Sequence, residues 1–140
     1  MKKYVILCLL AIAVISVSSV CSVDVDNQVV AGLNSTSDFN QSLDDAKLNN
    51  KTVLLIFDQE SCYYCDLLKK DVLSDSEVQN ILNENYTVVI VDVNEEYSLA
   101  AEHRVVGTPT SIFLDSNGQE IGRIDGYVSS EEFVNELKEI

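Results

Sequence analysis

The sequence predicts an α/β fold, a three-layer α/β/α sandwich around a mixed central sheet. Three observations predict it. Thr52-Val53-Leu54-Leu55-Ile56-Phe57 and Tyr86-Thr87-Val88-Val89-Ile90-Val91-Asp92-Val93 are apolar, β-branched runs without polar alternation, which suits strands buried on both faces. Segments with helical spacing of apolar residues separate them, so the two strands pair in parallel through a crossover. Ser111-Ile112-Phe113-Leu114-Asp115 and Glu120-Ile121-Gly122-Arg123-Ile124 flank Ser116-Asn117-Gly118-Gln119, and Asn-Gly between apolar runs signals a hairpin. A parallel pair with an antiparallel hairpin appended makes a mixed sheet that helices must cover on both faces.

Taken in order, Lys2-Lys3 precede an uncharged, largely aliphatic stretch from Tyr4 to Val23. A positive start before an apolar run is the export-signal pattern, and its length also suffices to span a bilayer. Residues 1–22 therefore read as a signal peptide or membrane anchor. The protein is expected to be extracytoplasmic, secreted or tethered to the membrane by residues 4–23. Ser18-Ser19-Val20-Cys21 loosely resembles a lipoprotein processing box, with Val20 bulkier than the small residue such a box wants. Residues 23–36, polar and acidic with no strong period, read as a spacer, and residues 37–140 as the folded domain.

Ser37 is placed to cap a helix from Asp38 to about Asn49, with Phe39, Leu43 and Ala46 on one side. Asn50-Lys51 turns into the first long strand. The segment Asp66-Leu67-Leu68-Lys69-Lys70-Asp71-Val72-Leu73 has helix-forming composition. Ser74-Asp75-Ser76-Glu77 offers caps for a short helix carrying Val78, Ile81 and Leu82. Glu95 to His103 reads as a helix anchored by Leu99 and Ala100, broken by Val105-Val106-Gly107-Thr108-Pro109-Thr110. After the hairpin, Gly126 and Ser129 lead into a helix from Ser130 to Lys138 with Phe133, Val134 and Leu137 inward.

A chain of 140 residues allows one domain with a real core. Its 46% apolar content excludes a disordered chain. The formal charge is −14, and without residues 1–22 the loss of Lys2 and Lys3 leaves 7 basic against 23 acidic residues, or −16. Such a chain repels nucleic acid and anionic headgroups, so neither is expected as a partner, and membrane contact is confined to the N-terminal segment.

The candidate site is Ser61-Cys62-Tyr63-Tyr64-Cys65. Two cysteines three apart, opening a helix straight after a strand, put both sulfurs on one helical face. The first sulfur then lies by unpaired helix N–H groups, which favour a thiolate. A thiolate with a second thiol in reach is equipped for thiol–disulfide exchange. Two other readings stand beside this one, a structural clip and half a zinc site. Zinc wants four N or S ligands, and the domain offers Cys62, Cys65 and His103 alone, so no metal is expected. With Cys8 and Cys21 in the leader, no spare thiols remain for a disulfide framework. His103 reads as a solvated helix end, and Lys69 and Lys70 as a solvated helix face.

The order of elements, the Cys62-Tyr63-Tyr64-Cys65 pair on the first crossover, Gly107-Thr108-Pro109-Thr110 before the hairpin and Gly126 before the last helix together resemble thioredoxin. The resemblance runs from about Ser37 to Ile140. It extends to extracytoplasmic thioredoxin-like domains such as the C-terminal domain of the transmembrane thiol reductase DsbD. It implies that Cys62 attacks and Cys65 resolves. It also implies that Pro109 is the family's cis-proline, leaving Thr108 to pair with an extended substrate segment. Tyr63 and Tyr64 are candidate substrate contacts, one expected exposed and the other packed. The sequence departs from the family pattern in four places. Ser61 replaces the usual tryptophan, and Tyr63-Tyr64 replaces Gly-Pro. Ile56 stands where thioredoxin has its buried acid, and Ile90 where it has the lysine partner. Glu60 or Asp58 is the candidate substitute for that acid.

The expected function is therefore extracytoplasmic thiol–disulfide exchange, reducing protein disulfides through the Cys62/Cys65 dithiol. Oxidase or isomerase chemistry uses the same residues in reverse, and a redox-inactive binding module would keep the pair as a permanent bridge. Expected partners are protein disulfides or dithiols and a membrane-embedded electron donor. No organic cofactor is expected, and the protein is expected to be a monomer.

Overall fold

The structure, a computed structural model, describes residues 30–140. The leader expected at residues 1–22 and the first part of the expected spacer lie outside the described residues. In chain order the elements are β1 (Ser35–Thr36), α1 (Phe39–Asn49), β2 (Thr52–Asp58), α2 (Tyr63–Leu67) with a π-helical continuation (Leu68–Val72), α3 (Ser76–Asn85), β3 (Tyr86–Asp92), α4 (Tyr97–Glu102), β4 (Thr110–Leu114), β5 (Glu120–Asp125) and α5 (Ser130–Glu139). The strands form one mixed sheet in the order β1-β3-β2-β4-β5. β2 and β3 are parallel, with Ile56 beside Ile90, while β4 runs antiparallel to β2 and to β5.

Alternation along the strands divides the core in two. Leu54, Ile56, Val88, Ile90 and Phe113 face one side with Leu68, Val72, Val78, Leu82, Phe133 and Leu137, so α2, α3 and α5 cover that face. Val53, Leu55, Phe57, Val89, Val91, Ile112 and Leu114 face the other with Ala46 and Ala100, under α1 and α4. The central strands are buried on both sides because both their faces are apolar. The three-layer sandwich with a mixed sheet is the architecture the residue pattern predicts.

The segment expected as a spacer is different. Val30 and Leu33 are buried in the core, and Ser35–Thr36 pairs in parallel with Val88 and Val89. Val30 to Thr36 therefore belong to the folded unit, and the boundary drawn at residue 37 is too late. Two apolar residues in a polar segment set up no period, yet each fills a place at the sheet edge.

Caps explain the helix ends. Asp38, rather than Ser37, caps α1 by accepting from the Gln41 N–H, and Asn50 ends it in the left-handed region. Asp75 caps α3, and Ser129 with Glu132 forms a capping box on α5. In the hairpin, Asp115 accepts from the N–H groups of Asn117 and Gln119 while Gly118 takes φ +80°. A bulge at Phe113/Leu114 turns Ile121 outward.

These bonds have an acid signature. Arg123 holds Glu120, and the backbone N–H of Ser129 holds Glu132, below the ordinary glutamate value of 4.5, while backbone N–H groups of Gln119 and Asn94 hold Asp115 and Asp92 below the ordinary aspartate value of 3.8. A carboxylate whose folded pKa is depressed adds stability above its unfolded pKa and loses it as pH falls through the folded value. Relief of the −14 charge acts in the opposite sense, but it is spread over the whole surface. Melting followed by circular dichroism is therefore expected to show Tm falling once pH drops below the ordinary carboxylate values, about 4.5 for the glutamates and about 3.8 for the aspartates, and on through the lower folded values of these four groups.

Candidate redox site

β2 ends at the sheet's rim, and the chain turns at Gln59-Glu60-Ser61-Cys62, the Cys62 N–H donating to Gln59 O at 3.3 Å. Ser61 takes φ +62°, the left-handed third position of that turn. Asp92, at the end of β3, braces the turn by accepting from the Glu60 N–H at 3.2 Å. The turn delivers Cys62 to the N-cap of α2, where its Sγ accepts the Cys65 N–H at 3.2 Å. Cys62 and Cys65 form a disulfide with their Cα atoms 5.2 Å apart. The pair is asymmetric. Cys62 is half-buried, whereas Cys65 is 1% exposed. In the reduced state the same helix N–H stabilises a thiolate on Cys62.

The peptide bond from Thr108 to Pro109 is cis, and the loop holding it stands against the disulfide. Cys62 Sγ lies 3.5 Å from Thr108 O and 3.4 Å from Thr108 Oγ1. Thr110 Oγ1 donates to Gly107 O, and Gly126 donates its N–H to Pro109 O at 2.8 Å, fixing the loop from both ends. At Gly126 φ is +91°, with open space where a side chain's first carbon would stand, so backbone conformation alone requires glycine there. The structure thus brings together Cys62, Cys65, Thr108 and Pro109 from two stretches of chain.

Tyr63 and Tyr64 are both exposed, at 69% and 57%. The expectation that one packs inward is corrected: α2 turns both rings away from the sheet. Their rings meet edge to face at 5.4 Å, and Tyr64 reaches toward Tyr127 at 6.4 Å, making an aromatic ledge on one side of Cys62. On the Thr108 side lies a groove of about 360 Å³ walled by Val93, Tyr97, Val105 and Val106. Tyr97 and Val106, which sequence reasoning did not single out, are 74% and 96% exposed. Their signal was an apolar residue at the start of α4 and another in the loop that follows it.

Two further readings change. His103 is half-buried rather than solvated, with the rings of Phe39 and Phe57 at 6.1 and 6.2 Å, and its carbonyl accepts from Arg123. Lys69 does not stand free in solvent, since its ammonium pairs with Asp58. Among the described residues no three His, Cys, Asp or Glu side chains are grouped as metal ligands. None of the described helices is long and apolar enough to cross a membrane.

Comparison with known proteins agrees with this geometry. The profile of the thioredoxin-like domain matches residues 39–140. The thiol:disulfide interchange protein DsbD of Salmonella typhi is 30% identical over 106 residues, covering 72% of this chain and 18% of that relative. The chain therefore spans less than a fifth of that protein's length. A thioredoxin from Thermus thermophilus superposes with a TM-score of 0.70 at 33% identity, over 77% of this chain and 86% of that one. The C-terminal domain of Neisseria meningitidis DsbD in its reduced form shares the fold, with a TM-score of 0.63 at 22% identity over 74% and 97% of the two chains. The chain belongs to the thioredoxin-like family and carries, at Cys62 and Cys65, the Cys-x-x-Cys pair of its thiol–disulfide oxidoreductases.

Proposed function

We propose that the protein works outside the cytoplasm as a reductant of protein disulfides, recharged by a membrane-embedded dithiol donor. The observation that carries this reading is the asymmetry of the pair, an accessible Cys62 beside the Thr108-Pro109 loop and a Cys65 sealed beneath it. The Cys62 thiolate attacks a substrate disulfide, forming a mixed disulfide and releasing one substrate thiolate. The substrate chain lies extended along Thr108, a short form of strand addition, with flanking side chains against the Tyr63-Tyr64 ledge and the Val93 groove. Cys65 then attacks Cys62 and frees the second substrate sulfur. The leader-like residues 1–22 and the similarity to a domain of DsbD support the extracytoplasmic setting and the reducing direction.

Equilibration with thiol redox buffers tests the direction. The expected potential is near that of thioredoxin, about −270 mV, which makes the pair a net reductant in an oxidising compartment. A potential near about −120 mV would overturn the reducing direction in favour of an oxidase. A pair that never equilibrates would leave a scaffold held by a permanent bridge.

A further inference from the structure

We propose that Gln59 is a positioning residue for Cys62: it competes for the proton of the Thr108 hydroxyl, so that the Cys62 thiolate is stabilised less than its surroundings would otherwise allow. This rests on the exchange function proposed above, and it concerns a residue outside both the cysteine pair and the cis-proline loop. Thr108 Oγ1 lies 3.4 Å from Cys62 Sγ and 3.4 Å from Gln59 Oε1. A threonine hydroxyl carries one proton, so it donates to one of these acceptors at a time. The turn that presents Cys62 also presents its competitor, since the Gln59 carbonyl accepts the Cys62 N–H. The Gln59 side chain then lies beside Thr108 on the wall of the groove.

The two protonation states of reduced Cys62 use these groups differently. As a thiol, Cys62 donates its proton to Thr108 O, 3.5 Å away, and the Thr108 hydroxyl donates to Gln59 Oε1. As a thiolate, Cys62 gives its proton to solvent and Sγ accepts from the Cys65 N–H and from the Thr108 hydroxyl, which must turn away from Gln59. Ionisation therefore costs the Thr108–Gln59 hydrogen bond. A hydrogen bond lost on ionisation favours the neutral form and raises the thiol pKa. Gln59 is exposed, so water replaces the hydroxyl at Oε1 and the cost is modest.

The sense of the effect suits a reductant. A thiolate stabilised less is the stronger nucleophile, and a dithiol stabilised less yields its electrons more readily. Charged groups on the neighbouring elements do not share this contact. Among the described residues the polar partners of Cys62 Sγ are the Cys65 N–H, Thr108 O and Thr108 Oγ1. Glu60 of the turn, Asp66 of α2 and Arg104 before the loop are exposed, as are the phenols of Tyr63 and Tyr64. Asp58 pairs with Lys69, Asp92 accepts from the N–H groups of Glu60 and Asn94, and Asp125 pairs with Arg123. Their fields act equally with and without the Gln59 oxygen.

A double-mutant cycle isolates the hydroxyl's part. The four proteins are the reduced full-length chain, Gln59→Leu, Thr108→Val and Gln59→Leu/Thr108→Val. Gln59 is exposed and valine is close to threonine in shape, so the fold should hold in each. Each is alkylated with iodoacetamide across pH, and the rate at Cys62 is followed by mass spectrometry of its peptide. The midpoint of the rate profile reports the thiolate. Gln59→Leu is expected to lower that midpoint by about half a pH unit, and to leave it unmoved when Thr108 is already valine. An unchanged or raised midpoint in Gln59→Leu would overturn the proposal while leaving exchange intact. Equal shifts in the two backgrounds would overturn it too, because the hydroxyl would then carry none of the effect. A wild-type Cys62 that is not alkylated at any pH would overturn the exchange function itself, and the proposal with it.

Discussion

Cys65→Ser is expected to turn a passing mixed disulfide into a stable one, and Cys62→Ser to abolish exchange. The asymmetry of burial supports the roles proposed for the two cysteines. Cys62 is half-buried beside Thr108, where an incoming disulfide can reach its sulfur, and it receives the Cys65 N–H that stabilises a thiolate. Cys65 is 1% exposed and meets no substrate directly. Its advantage is position: an oriented intramolecular group reaches effective molarities up to about 10⁵ M and more, against millimolar thiol in solution. Removing it should slow release of the mixed disulfide by about 10⁴-fold or more. Protein adducts of Cys65→Ser that run as larger species on a non-reducing gel and collapse with dithiothreitol are the expected result, with none from Cys62→Ser. Adducts from Cys62→Ser alone would reverse the two roles. Adducts from neither would favour a permanent bridge.

What was legible in the sequence follows from where the interactions lie along the chain. β2 and β3 are continuous apolar runs, so their burial needs no partner to be inferred, and Cys62 to Cys65 is a local spacing on a local helix. Pro109 was legible as well, because it is the chain's sole proline and sits in Gly107-Thr108-Pro109-Thr110. The failures are long-range. Val30 and Leu33 are two apolar residues in a polar stretch, and nothing short of the sheet's edge shows that they are core. His103 reads as a polar helix end until Phe39 and Phe57 arrive from α1 and β2. Lys69 reads as solvated until the strand end supplies Asp58, eleven positions earlier in the chain. The π-helical turn of Leu68–Val72 has no compositional mark at all, yet it places Leu68 and Val72 inward on the cysteine side.

Phe113→Ala is expected to be the most destabilising single truncation in the fold, costing about 3–5 kcal/mol. Phe113 is fully buried in β4, with the rings of Tyr86 and Phe133 at 6.1 and 6.5 Å. Gly122 is its partner on β5, and a side chain there would press within 3.4 Å of the phenyl ring, so the neighbouring strand is already shaped around it. The cavity left by alanine has little to collapse into it. Tyr86 is held by its hydroxyl to Leu137 O at 2.9 Å, and Phe133 by the α5 backbone and its capping box. Small domains have total stabilities of about 5–15 kcal/mol, so this one ring accounts for a large share. Urea unfolding checks it: the midpoint should fall with the slope unchanged, since the cavity alters the native core and not the area exposed on unfolding. A loss below about 1 kcal/mol would mean that α5 shifts inward to fill the space. Phe113 shares its face of the sheet with Leu68 and Val72, which seat the helix carrying Cys65. The variant should therefore also expose the resolving thiol, and faster alkylation of Cys65 in the reduced protein would tie the packing of this layer to the asymmetry on which exchange depends.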